Sequence, residues 1–160
     1  MEEIYLTTDL KKYYMNDFEK NVLCNTHQFW GLAEQIKNQL IKINENPNIQ
    51  TLYSRKNPFK MGDIMGSYLQ FAYVKEIELS IFREIIPSLF MFSKEQDLFK
   101  YEFNFPKTKN KENNSIPMGC LDNNQYFNIN SVKLYFDCRN HDTDLLFWET
   151  ITEKLSKIDY

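Results

Sequence analysis

Residues 126–158, YFNINSVKLYFDCRNHDTDLLFWETITEKLSKI, carry two periodicities in succession, and the change between them decides the class of fold. Val132, Leu134, Phe136 and Cys138 fall on one parity and Lys133, Tyr135 and Asp137 on the other, the period of two of a half-buried strand. Upstream, Phe127 and Ile129 lie on the opposite parity, so one strand over 126–138 needs a register slip near Asn130 and Ser131, which a bulge would supply. From Asp142 the apolar positions become Leu145, Trp148, Ile151 or Thr152, Leu155 and Ile158, spaced by three and four as on one helical face. Asp142, Thr143 and Asp144 offer a capping side chain and negative charge at the start of that helix, and Lys154 and Lys157 stand near its end, so the helix dipole is matched twice. A strand feeding an amphipathic helix predicts the α+β class: a small antiparallel sheet packed against several helices, in a single domain over 1–160.

Working outward, Phe99, Tyr101, Phe103 and Phe105 alternate with Lys100, Glu102 and Asn104, which predicts a strand over 98–105 with an aromatic face, pairing with 126–138. The intervening 106–125 is a long polar loop of Lys, Asn, Ser and Pro, longer than hairpin connections usually are. Phe29, Leu32, Ala33, Ile36, Leu40 and Ile43 form a helical stripe over 28–43, and Leu10, Tyr13, Tyr14, Phe18 and Val22 another over 8–22, after a possible short strand at 4–6. Asn44 to Pro58, with two prolines and several asparagines, reads as a polar connector. Asp63 to Ile86 is ambiguous, alternating at 68–74 and helical through Val74, Ile77, Ile81 and Ile85. A strand that long is unusual, so the reading is a helix stopped by Pro87.

Hydrophobic residues at 42% and aromatics at 16% of 160 residues argue for a packed core rather than disorder. The chain has 4 Gly, and the Gly62 to Gly66 stretch has neither the Lys nor the glycine spacing of a phosphate-cradling loop. A formal net charge of -3 speaks against a general nucleic-acid binder, which would show a basic excess. An odd count of 3 Cys does not suit a disulfide framework, the opening Met1-Glu2-Glu3-Ile4-Tyr5 has no apolar signal core, and the longest apolar run is broken by Pro87. The expectation is a cytoplasmic protein with no membrane association.

Both histidines stand three positions after a cysteine, and each pair directly precedes a helix. Cys24, His27, Cys138 and His141 are therefore a candidate structural zinc set, since thiolate and imidazole are ligands that zinc accepts. Against it, the two halves are far apart in sequence, and small buried thiols beside capping histidines explain the same pattern. The same residues admit a Cys nucleophile with a His base, although no enzyme signature surrounds Cys24 or Cys138. For nucleic-acid chemistry, Glu102 and Asp137 are the carboxylates on strands, and Arg55, Lys56, Lys60, Lys107, Lys109 and Lys111 are a candidate basic patch.

Asp137, Asp142, Asp144 and Glu149 form the densest acidic group. They either cap and solvate the last helix or face a cationic partner, with Lys107, Lys109 and Lys111 of the polar loop as further contacts. Every enzyme reading lacks residues that a binding role does not need. The expectation is a non-enzymatic interaction module with a protein partner, of the inhibitor or immunity type. A nucleic-acid-binding protein using the basic loops, or a Cys-dependent enzyme, are the alternatives.

Overall fold

The computed structural model describes residues 5–23, 32–59, 66–105, 116–117, 126–127 and 129–160. Four strands, β1 (Ile49–Arg55), β2 (Ser67–Tyr73), β3 (Leu98–Asn104) and β6 (Ser131–Asp137), form one antiparallel sheet in the order β1-β2-β6-β3. Two short strands, β4 (Ile116–Pro117) and β5 (Tyr126–Phe127), pair separately. The α+β architecture expected from the sequence is therefore present, with β6 central and β3 at an edge.

The parity of β6 is as its sequence implies. Val132, Leu134 and Phe136 are buried together with Leu69 and Phe71 of β2 and Phe99 of β3, and the register sets these residues opposite one another. Helices cover this face. α2 (Leu32–Asn44) contributes Ile36, Leu40 and Ile43, and α5 (His141–Lys157) contributes Phe147, Trp148, Ile151 and Leu155. Phe136 stacks on Phe147 at 4.8 Å between ring centroids, so the strand and helix singled out at the start fold directly onto each other. α1 (Thr8–Asp17), capped by the Thr7 hydroxyl and continued as a π-helical turn over Phe18–Leu23, lies against the opposite face at the β1 end. There Tyr14 joins Leu6, Ala72 and Ile129 in a smaller cluster. Lys11 of α1 donates to the carbonyls of Asn44 and Ile49, placing a cation at the C-terminus of α2. Its burial lowers the ammonium pKa to about 8.

Several sequence expectations are corrected. Asn44 to Pro58 is not a connector, because it contains β1. A register irregularity between Thr51 and Tyr53 breaks the strand's alternation, which is why its pattern reads as none. The asparagines before it are structural: Asn44 brackets Thr51 at 2.7 and 2.8 Å, and Asn46 donates to the carbonyls of Leu155 and Ile158 at 2.8 and 2.9 Å, closing the end of α5. The segment ending at Ile86 is not one helix. β2 is an interior strand whose Phe71, Ala72 and Tyr73 are all buried, so consecutive apolar residues hide its period, and helix starts only at Lys75.

Pro87 does not stop that helical run, which passes through Lys75–Ile77, α3 (Glu78–Ser80), a π-helical stretch Ile81–Ile85, α4 (Ile86–Leu89) and Phe90–Phe92. The proline sits in the first turn of α4, where its missing N–H costs least, and the wider π-turn precedes it. The expected strand over 126–138 is two elements, β5 and β6, rather than one bulged strand. Finally, α5 is capped by Asn140, whose Oδ1 accepts from the N–H groups of Asp142 and Thr143 at 2.8 and 3.2 Å, and not by the acidic residues after it.

Candidate interaction surface

The Cys138–His141 turn joins β6 to α5, and its chemistry is quiet. Cys138 is buried, its Sγ donates to the Asn140 carbonyl at 3.3 Å, and burial pushes its thiol up to about 12. A thiol kept neutral in that way is a poor nucleophile near neutral pH. His141 is exposed, and its ring meets that of Phe59 in a T-shaped contact at 5.2 Å between centroids. The other two members of the proposed zinc set, Cys24 and His27, lie outside the described residues. Among the described residues, no group of three or more His, Cys, Asp or Glu could hold a metal ion.

The acidic group is not one surface. Asp144 points inward with no exposure, its Oδ2 2.6 Å from the equally buried Lys56 Nζ and its Oδ1 accepting from the Ser67 hydroxyl at 2.7 Å. Ser67 in turn accepts from the Asn57 N–H at 2.8 Å, and Lys56 also donates to the Asn57 carbonyl at 3.2 Å and lies 4.9 Å from the Phe59 ring centre. One residue expected in a basic patch and one expected on an acidic surface thus meet in the interior. There they tie the segment after β1 to β2 and to the first turn of α5. Neither is available to a partner. Asp142 and Glu149 are exposed seven residues apart along α5, and Asp137 is half-exposed on the sheet face that α5 does not cover. Lys60, Lys107, Lys109 and Lys111 lie outside the described residues.

Glu102 and Asp137 occupy the open sheet face but do not form a pair. Asp137 stands opposite Leu98 and Glu102 opposite Lys133, four register positions apart, which is roughly 13 Å along the strands. Two carboxylates so separated do not share a metal. The same face carries a cross-strand row, Arg55, Tyr68, Tyr135 and Lys100, one from each strand of the sheet. Arg55 and Lys133 lie 4.8 and 4.4 Å from the Tyr68 ring centre, and Lys100 lies 4.6 Å from that of Tyr135. Arg55 also donates to the Gly66 carbonyl at 3.1 Å. A side chain at Gly66 would meet the Phe136 carbonyl oxygen at 2.7 Å and the tip of the Tyr135 ring at 2.8 Å, so the backbone approach here leaves room for glycine alone. These cations are held against tyrosines, as the apolar stems of Lys and Arg commonly are.

The feature that sequence reasoning missed is at the other edge. Tyr101 is 39%, Phe82 53% and Phe90 48% exposed, and the three are contiguous: Phe82 and Phe90 approach the Tyr101 ring at 6.4 and 6.0 Å, and Phe90 approaches Phe99 at 5.2 Å. Leu79, Met91 and Leu98 are exposed as well. Among the described residues, β3 pairs with β6 on one side and with no strand on the other. The signal was available in part, since Phe82 and Phe90 fall off the buried stripe of Ile77, Ile81, Ile85 and Leu89. That β3 would be an edge strand is not written in its own pattern. No protein-family model, curated protein or solved structure matches this chain.

Proposed function

We propose that the protein is a non-enzymatic interaction module that binds a protein partner along the free edge of β3 and the aromatic cluster beside it. The observation that carries this reading is the contiguous exposure of Phe82, Phe90 and Tyr101 next to a strand edge that no other strand among the described residues pairs with. Contiguous apolar surface on a water-facing protein marks a binding site, and an open edge is a template for strand addition. Masking a partner in the cytoplasm, as inhibitor and immunity proteins do, needs such a surface and no catalytic group. No helix among the described residues is long and apolar enough to cross a membrane.

Affinity capture from the native cytosol tests the reading, with tagged wild type compared against a Phe82→Ser, Phe90→Ser variant. The expected result is a stoichiometric protein bound by the wild type and lost by the variant. A partner kept by that variant but lost on Asp142→Asn, Glu149→Gln would move the site to α5. Recovery of nucleic acid with a steep salt dependence would overturn the reading in favour of the basic residues.

A further inference from the structure

We infer that the partner β3 fits is a second copy of this chain, paired strand to strand about a two-fold axis at Tyr101. This rests on the docking surface proposed above and names its occupant. β3 reads Leu98-Phe99-Lys100-Tyr101-Glu102-Phe103-Asn104, and its register with β6 puts Lys100 and Glu102 on the open face and Phe99, Tyr101 and Phe103 on the helix-covered face. In an antiparallel pairing of β3 with itself about Tyr101, Lys100 stands directly opposite the copy's Glu102, and Glu102 opposite the copy's Lys100. Tyr101 meets its own copy on the other face, between the Phe82 and Phe90 rings that flank it. Two unlike-charge pairs and an aromatic contact arise from one strand, because a two-fold interface uses each residue twice.

The register is selected by repulsion as well as attraction. An axis at Lys100 would set that lysine against itself, and an axis at Glu102 would do the same with the carboxylate. An edge guarded against pairing carries lysines that repel a copy. Lys100 and Glu102, two positions apart, attract one. The product is an antiparallel sheet of twice the width with the exposed aromatic cluster drawn into its middle, the isologous arrangement commonest among homodimers.

Sedimentation equilibrium on the full chain reads the outcome, with K100E, E102K and an equimolar mixture of the two variants beside the wild type. The wild type is expected to dimerise, and each variant alone to raise the dimer Kd by at least about tenfold, because both cross-strand pairs turn repulsive. Mixing the variants restores association as a heterodimer, since every opposed pair again joins unlike charges. Within its own chain Glu102 lies opposite Lys133 and Lys100 lies over the Tyr135 ring, so each substitution also removes an internal contact. A folding defect would not be repaired by mixing, which makes the mixture the decisive arm. A wild type that stays monomeric through the micromolar range overturns the inference, as does a dimer indifferent to both substitutions. If the wild type is monomeric yet captures another protein in a Phe82-dependent way, self-pairing fails and the interaction module stands. If it does neither, both fail.

Discussion

Strand β6 has two neighbours, and the sheet is finished differently on each side of it. Toward β2, Ser67 leads to Asp144 and Lys56, a charge pair with no exposure at either side chain. Toward β3, the side chains beyond the core are Phe82, Phe90 and Tyr101, each between about two-fifths and half exposed. Charges are inside and rings outside, the reverse of what solvation favours in each place. A buried ion pair contributes little net stability, because desolvating both groups costs about what their attraction returns. Its effect is conditional: α5 must dock with Asp144 over Ser67 and Lys56, or two charges are left stranded. An exposed aromatic cluster likewise leaves apolar area in water until something covers it. The first feature specifies how the chain closes on itself, and the second where it remains open.

Breaking the inward pair should give the largest effect. Asp144→Ala leaves Lys56 buried without its counter-charge and is expected to cost about 3 to 5 kcal/mol of stability in denaturant melts. The double variant Lys56→Met, Asp144→Leu removes both charges and should recover most of that loss, since a packed apolar pair is often as stable as the ions it replaces. If Asp144→Ala proves nearly neutral, Lys56 reaches water and the contrast between the two sides of β6 disappears.

The same contrast explains what was legible in the sequence. β6 and α5 were readable because each has one buried face and one wet face, so their periods survive in Val132, Leu134 and Phe136 and in Trp148, Ile151 and Leu155. β2 was not, because as an interior strand it buries Ala72 between Phe71 and Tyr73 and has no wet face at that end. β1 was lost to its register irregularity and to the asparagines beside it, which read as loop but are consumed in closing helix ends. At the candidate site, the charges of Lys56 and Asp144 were visible and their direction was not. They lie 88 positions apart, and Asp144 shares the first turn of α5 with the exposed Asp142. Composition alone cannot distinguish a carboxylate that caps a helix from one that is folded beneath it.

Cys138 sharpens the comparison by placing a titratable group at the closed side. Its thiol ionises near 9 when free and near 12 in the fold, the largest cause being burial. The folded state therefore keeps a proton that the unfolded state loses between those values. The stabilising contribution is complete below about pH 9 and is lost as the pH rises toward 12, with a slope of at most about 1.4 kcal/mol per pH unit. Stability measured over that range should fall more steeply for the wild type than for Cys138→Ala. At neutral pH a thiol reagent should modify Cys138 only as fast as the protein opens. Rapid modification of the native protein would restore the nucleophile reading.

The smallest effect is expected on the open side. Phe82 is half in water, and Phe82→Ser forfeits ring contacts with Tyr101 and Phe103 while removing apolar area that solvent disfavours. It should therefore shift stability by no more than about 0.5 to 1 kcal/mol, the range of surface substitutions outside a core. Phe136→Ala, equally aromatic but fully buried against Phe147, should cost about 3 to 5 kcal/mol. The ratio of the two is the measurement that matters, because it separates rings that hold the fold from rings the fold does not need. A Phe82→Ser loss as large as that of Phe136→Ala would place Phe82 in the core, and the aromatic edge would then have no claim to be an interface. A small loss in the melt, together with a lost partner in capture or sedimentation, would assign those exposed rings to binding.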